Sequence, residues 1–299
     1  MATPRHTRAY TGAPNTIIAG DVNLYYRDWG RGRPVLFVAG WSLCSDSWGY
    51  QMMALCRRGL RCIAFDRRGH GRSSDPGRGY DLDTLADDIA AVIEALDLRD
   101  VVLVGHSMGC NEIVRYLTRH GSARVTQVAL LGPMTPGITL SASNPNGVDP
   151  ALLEQFRSTQ LLNDFPRWIE ENVEPFVPGA GPRMRDWLAQ MALQCSLQAL
   201  HDCNVCVQAS SMEAELEAVD VPVLVIAGAL DVSAPLELTA RRTEALVPDC
   251  RLVVYEDAAH GMFLTHVAQV SAELLEFIGA GVYIDAFTST GERDAVWTR

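Results

Sequence analysis

The stretch Val101-Val102-Leu103-Val104-Gly105-His106-Ser107-Met108-Gly109 decides how this chain is read. Four consecutive aliphatic residues, three of them valine, favour a strand buried on both faces. From Met108 a helical pattern runs to His120 and is closed by Gly121. Between them stands Gly-x-Ser-x-Gly, so the chain turns from strand to helix within a few residues. Such a turn is strained and pushes the Ser107 hydroxyl above the sheet, while the flanking glycines let neighbouring backbone approach. The helix that starts at Met108 presents free N–H groups and its positive dipole end to the same point.

Outward from this turn, short apolar runs alternate with longer helical patterns, as in a largely parallel sheet covered by helices. Residues 16–19 and 22–28 flank Gly20-Asp21 and predict an opening hairpin. Strands are expected at 34–39 and 61–65, with a helix near 47–56 between them. A glycine-rich loop follows over 69–79. Leu82, Leu85, Ala86, Ile89, Ile93 and Leu96 recur at helical spacing, and 125–131 is a further strand. After Gly132 the rhythm breaks at Pro133, Pro136, Pro145 and Pro150, and 151–217 looks helical. Strands at 221–227 and 252–255, and helices at 235–246 and 263–278, restore the alternation. The expected organisation is a flexible N-terminal segment over 1–16, an α/β core over 17–132 and 218–279, a helical cap over 133–217 and a tail over 280–299.

Composition excludes whole classes of chemistry. The 299 residues carry 25 positive and 36 negative charges, for a net charge of −11, and every positive charge is an arginine. Without lysine there is no Walker-type nucleotide site, pyridoxal Schiff base, aldolase-type imine or Ser–Lys dyad. The acidic balance argues against nucleic acid and anionic membrane surfaces as partners. No run approaches the roughly 18–20 apolar residues of a membrane span. With no secretory pattern near Arg5 and Arg8, the eight cysteines are expected to be reduced and the protein soluble and cytoplasmic.

The elbow in its strand–helix setting resembles the α/β-hydrolase fold superfamily, and within it the esterase and cofactor-free haloperoxidase-like serine hydrolases. The resemblance spans about residues 17–279, the cap being matched in position rather than in motif. It implies an acid after a later strand and a histidine after the last one. Asp231 in Gly228-Ala229-Leu230-Asp231 and His260 in Ala258-Ala259-His260-Gly261 meet that pattern, in the order serine, acid, histidine. His260 would take the Ser107 proton and return it to the leaving group, and Asp231 would fix the imidazole tautomer. The resemblance also implies an oxyanion hole from the backbone N–H groups of Met108 and Trp41. The loop reads Ala39-Gly40-Trp41-Ser42, where the family has His-Gly before the donor. That departure removes no donor but leaves the bracing of the loop open.

Several residues compete with these roles. His106 flanks the elbow serine and should point away from it, and His266 belongs to the last helix as a packing or surface residue. Asp257 reads as a turn residue, and 132–140 contains no carboxylate to serve as an alternative acid. The segment from Asp66 to Ser73 reads as scaffold despite Arg67, Arg68 and Arg72. His201, Cys203 and Cys206 make only half a zinc set, so no metal and no cofactor is expected. Trp41, Met134, Phe165 and Trp168 are candidates for substrate contact and bias a pocket towards apolar groups.

The resulting expectation is a serine hydrolase that cleaves a carboxylic ester or lactone with an apolar acyl part through an acyl-enzyme. C–C bond hydrolysis, perhydrolysis of the haloperoxidase type, acyl transfer and a non-catalytic ligand receptor remain as alternatives. Ser42, where perhydrolytic relatives often carry a nearby proline, weakens perhydrolysis. The expected partner is a small-molecule substrate, with a homo-oligomeric contact through Tyr283, Ile284 and Phe287 of the tail.

Overall fold

A computed structural model describes residues 15–279. The N-terminal residues 1–14 and the tail, with its proposed contact through Tyr283, Ile284 and Phe287, lie outside the described residues. Eight strands form one sheet: β1 Thr16–Ala19, β2 Val22–Gly30, β3 Pro34–Val38, β4 Arg61–Phe65, β5 Val101–His106, β6 Val125–Leu131, β7 Val223–Gly228 and β8 Cys250–Tyr255. Their order is β1-β2-β4-β3-β5-β6-β7-β8. The opening hairpin is antiparallel, as is the β2–β4 pair, and every later pairing is parallel.

The valine-rich strands form because both faces are covered. Val101 and Leu103 point into one apolar cluster, and Val102 and Val104 into the other. The same alternation divides Leu36 from Phe37 and Val225 from Ile226. Each of these side chains is almost fully withdrawn from water, which stabilises the fold by about 1.5–3 kcal/mol apiece. Helices α1 Gly49–Cys56, α2 Leu82–Ala95 and α3 Met108–His120 lie between the first strands. The predicted apolar stripe of α2 is its buried face, and Asp81 caps the helix by accepting from Thr84 N at 2.9 Å.

Between β6 and β7 the chain forms α4 Pro150–Phe156, α5 Phe165–Phe176, α6 Pro182–Ala192, α7 Leu197–Ala209 and α8 Glu213–Glu217. This segment has its own apolar cluster, which includes Met134, Leu161, Phe165, Cys195, Ala199 and Cys203 together with Met108 of α3. After β7 and β8 come α9 Ala240–Leu246, α10 Met262–Thr265 and α11 Val267–Ile278. Two expected helices differ from this. The helix sought at 235–246 begins only at Ala240, because Pro235–Thr239 forms separate turns with Leu238 N and Thr239 N both on the Pro235 carbonyl. The last helix is broken at His266, whose φ of −118° and ψ of 42° are not helical. His266 therefore stands at the start of α11, not well inside it. No described helix is long and apolar enough to cross a membrane.

Candidate active site

Ser107 sits between β5 and α3 with φ 54° and ψ −122°, a conformation that L-residues rarely adopt. Ser107 occupies the N-cap position of α3, yet its side chain bonds to no helix N–H. The hydroxyl is thereby left open to a cavity of about 380 Å³ between core and cap, and His260 lies on the same cavity wall. Close approach makes the turn possible. A Cβ on Gly109 would stand 2.5 Å from the Val38 carbonyl oxygen, and one on Gly40 would stand 2.5 Å from His106 Nδ1.

Asp231, in the loop after β7, is buried and reaches His260 Nδ1 with Oδ2 at 2.7 Å. Its other oxygen accepts from Ser233 N at 2.9 Å and Ala234 N at 2.8 Å. With three hydrogen bonds so placed, the carboxylate is held against swinging away, and His260 must carry its proton on Nδ1 to meet it. Nε2 is then an acceptor. Asp257, the rival acid, pairs instead with His266 Nε2 at 3.2 Å, on the outside of the protein.

His106 does not merely point away from the site. Its Nε2 donates to the His260 carbonyl at 3.0 Å, and the two rings lie 4.7 Å apart. Burial pushes its pKa well below the usual histidine value, as does the neighbouring His260 ring. His106 is thus a neutral support beneath His260.

Neither Trp41 N–H nor Met108 N–H donates to a protein acceptor among the described backbone hydrogen bonds. Their loop is braced from the 66–73 segment, in keeping with its expected scaffold role. Arg67 donates to the Ala39 carbonyl at 2.6 Å and to the Gly40 carbonyl at 3.3 Å. Glu112 on α3 holds the same guanidinium, accepting from Nε at 2.8 Å and from Nη2. Both side chains are buried. Burial pushes the Glu112 pKa up, and the adjacent Arg67 charge offsets part of that rise. The Trp41 indole N–H also donates to the Leu200 carbonyl at 2.8 Å, tying the loop to α7. The neighbouring Arg68 is held by Asp88, and Arg72 by Asp66 and Asp46.

Of the four residues expected to touch substrate, Trp41, Met134 and Trp168 line the cavity. Phe165 stands behind them, stacked on Trp168 at 6.0 Å and edge-on to Trp41 at 6.5 Å. It shapes the wall without forming it, because the N-terminus of α5 is turned into the cap cluster. Sequence reasoning leaves Phe176 among the cap aromatics that are more often core than contact, yet it lines the cavity with its ring 5.6 Å from that of His260. Sequence reasoning missed the polar wall residues Asn172, Asn204 and Gln208. Nothing in their spacing separates them from a solvated helix face. His201 pairs with Asp202 near the surface, and Cys203 is buried in the cap cluster. All eight cysteines are free thiols.

A sheet of this order, with a strained serine turn after its fifth strand, defines the α/β-hydrolase class of enzyme. Comparison with known proteins agrees with that. The chain belongs to the alpha/beta hydrolase fold family, whose family model matches residues 33–267. It is 38% identical to a non-heme haloperoxidase from Rhodococcus erythropolis, over 89% of this chain and 99% of that one. It is 33% identical to a bifunctional esterase/perhydrolase from Acinetobacter calcoaceticus, over 86% and 96% of the two chains. The solved structure of an esterase from Exiguobacterium antarcticum superimposes with a TM-score of 0.85 at 28% identity, covering 89% of this chain and 99% of that one.

Proposed function

We propose that this enzyme hydrolyses a carboxylic ester or lactone with an apolar acyl part through an acyl-Ser107 intermediate. The observation that carries the reading is the Asp231–His260 pair on the cavity onto which the Ser107 hydroxyl opens. His260 Nε2 removes the hydroxyl proton as Ser107 Oγ attacks the ester carbonyl. The oxyanion of the tetrahedral intermediate is met by the N–H groups of Trp41 and Met108, and its collapse expels the alcohol, protonated by His260. Water, deprotonated by His260, then attacks the acyl-enzyme and releases the acid. The aromatic and aliphatic lining supports an apolar acyl group.

A second reading shares the acyl-enzyme but lets hydrogen peroxide replace water and so releases a peracid. The relatives named as haloperoxidase and esterase/perhydrolase favour it. Against it, Ser42 has φ 62°, a backbone setting closed to proline, the residue that perhydrolytic relatives often carry nearby. The test is turnover of p-nitrophenyl esters by wild type and Ser107→Ala. A loss of about a thousandfold or more with an unchanged circular dichroism spectrum is expected. Full activity in the variant would exclude the acyl-enzyme. Peracid formation under peroxide that outpaces hydrolysis would favour the second reading.

A further inference from the structure

The cap wall of the cavity carries a polar device that the ester reading does not use. Asn204 and Gln208 lie one turn apart on α7, on one face of the helix, and both line the cavity shared by Ser107 and His260. Behind them stands Arg157, which opens a π-helical turn over Arg157–Leu161, a local irregularity often found at functional sites. All three residues are more than nine-tenths buried. Arg157 Nη1 donates to Gln208 Oε1 and lies 3.4 Å from Asn204 Oδ1. Its Nε and Nη2 donate to Glu154 at 3.1 and 2.7 Å, so its charge is compensated within the cap.

The orientation of both amides follows from chemistry. A guanidinium has donors only, so each amide must turn its oxygen towards Arg157. The NH2 groups must then point the other way. Neither has a protein partner among the described residues, and neither is sealed from the cavity as the orphaned buried atoms are. Two adjacent donors therefore face a largely apolar pocket, where an unpaired polar group costs free energy and a matching acceptor recovers it.

We propose that Asn204 and Gln208 form a specificity subsite for a neutral acceptor oxygen of the substrate, a carbonyl or ether remote from the scissile ester. A carboxylate is disfavoured, because two neutral amides do not offset its lost hydration and Arg157 is already paired with Glu154. The site thus selects oxygenated acyl or alcohol chains over plain hydrocarbon ones. The proposal rests on the ester reading for the scissile group only; the two donors stand independently of it.

The test uses two matched series of esters in which one methylene, of either the acyl or the alcohol chain, becomes a ketone at successive positions. At one position of one series, the keto ester should exceed its alkyl counterpart about tenfold in kcat/KM, the value of one buried hydrogen bond. Asn204→Asp with Gln208→Glu keeps an oxygen on Arg157 but turns an acceptor to the cavity, and should bring the ratio to one or below. Should that variant fail to fold, Asn204→Leu with Gln208→Met removes the donors without charge and should bring the ratio to one. Ratios near one at every position in wild type, or a preference that survives donor removal, overturn the subsite. If wild type cleaves no ester at all, equilibrium binding of the same pairs to Ser107→Ala decides the subsite, and only the ester reading falls.

Discussion

Ser107 shows how far a single residue can be stretched by its neighbours. Its φ of 54° is tolerated because Gly109 lets α3 start against the Val38 carbonyl and because its N–H is held by the Leu131 carbonyl at 2.9 Å. The cost of such a backbone is about 1–3 kcal/mol, carried by the surrounding sheet. Two substitutions probe this scale. Asp231→Asn can present its NH2 to His260 Nδ1 and favour the tautomer with the proton on Nε2, the wrong one for a base. It should lower kcat by about three to four orders of magnitude with little change in fold, measured with a p-nitrophenyl ester. Unchanged kcat would remove Asp231 from the proposed triad. Gly40→Ala would drive a methyl group into His106, which supports the His260 backbone. A drop of at least tenfold in kcat is expected there, and an unchanged rate would show that the loop can yield.

At the scale of elements, the proposed oxyanion loop is fixed by contacts from three directions. Arg67 after β4 binds its carbonyls, Glu112 on α3 anchors Arg67, and the Trp41 indole reaches α7. This answers what replaces the histidine absent at Ala39. Arg67→Met would strand a buried carboxylate and leave two carbonyls unpaired, with an expected loss of about 3–5 kcal/mol in unfolding free energy. Arg67→Met with Glu112→Leu should regain much of that stability, because no lone charge is left buried. It should not regain kcat, because the loop carbonyls still lack their donor. Denaturant unfolding and kinetics on the two variants separate these effects. Recovery of both together would show that Arg67 has no part in positioning the loop.

For the whole molecule, two buried histidines, His70 and His106, contribute to the response to acid. His70 is pushed down to about 3 by burial and by the Arg67 charge, and His106 is pushed down as well. Below the ordinary value of 6.5 the unfolded chain binds protons that the folded chain refuses. Stability conferred by these neutral rings is therefore full above that pH and is lost as pH falls towards 3, by up to about 1.4 kcal/mol per pH unit for each ring. Glu112 and Asp88, raised by burial, bind protons early in the folded state and offset part of the slope. Melting temperatures should fall between pH 6.5 and 4, and His70→Gln should flatten the curve. Parallel curves for wild type and variant would overturn the assignment.

The core was legible in the sequence because its signals are local. Unbroken aliphatic runs in β3, β5 and β7 and a serine turn between strand and helix are fixed within a few residues of chain, and the resemblance they carry points to the acid and the histidine after later strands. The lysine-free composition likewise excluded several chemistries before any fold was known. Arg67 reads as scaffold and acts as one, but which loop it braces is not legible, because Glu112 lies 45 residues away and only the packing of α3 against the loop joins them. Phe165 and Phe176 looked alike, yet one faces the cap interior and the other the cavity. No local signal marks Asn204 and Gln208, and only their burial against Arg157 gives them a direction. Long-range packing sets which side of a short amphipathic helix meets water, and no local period records that choice.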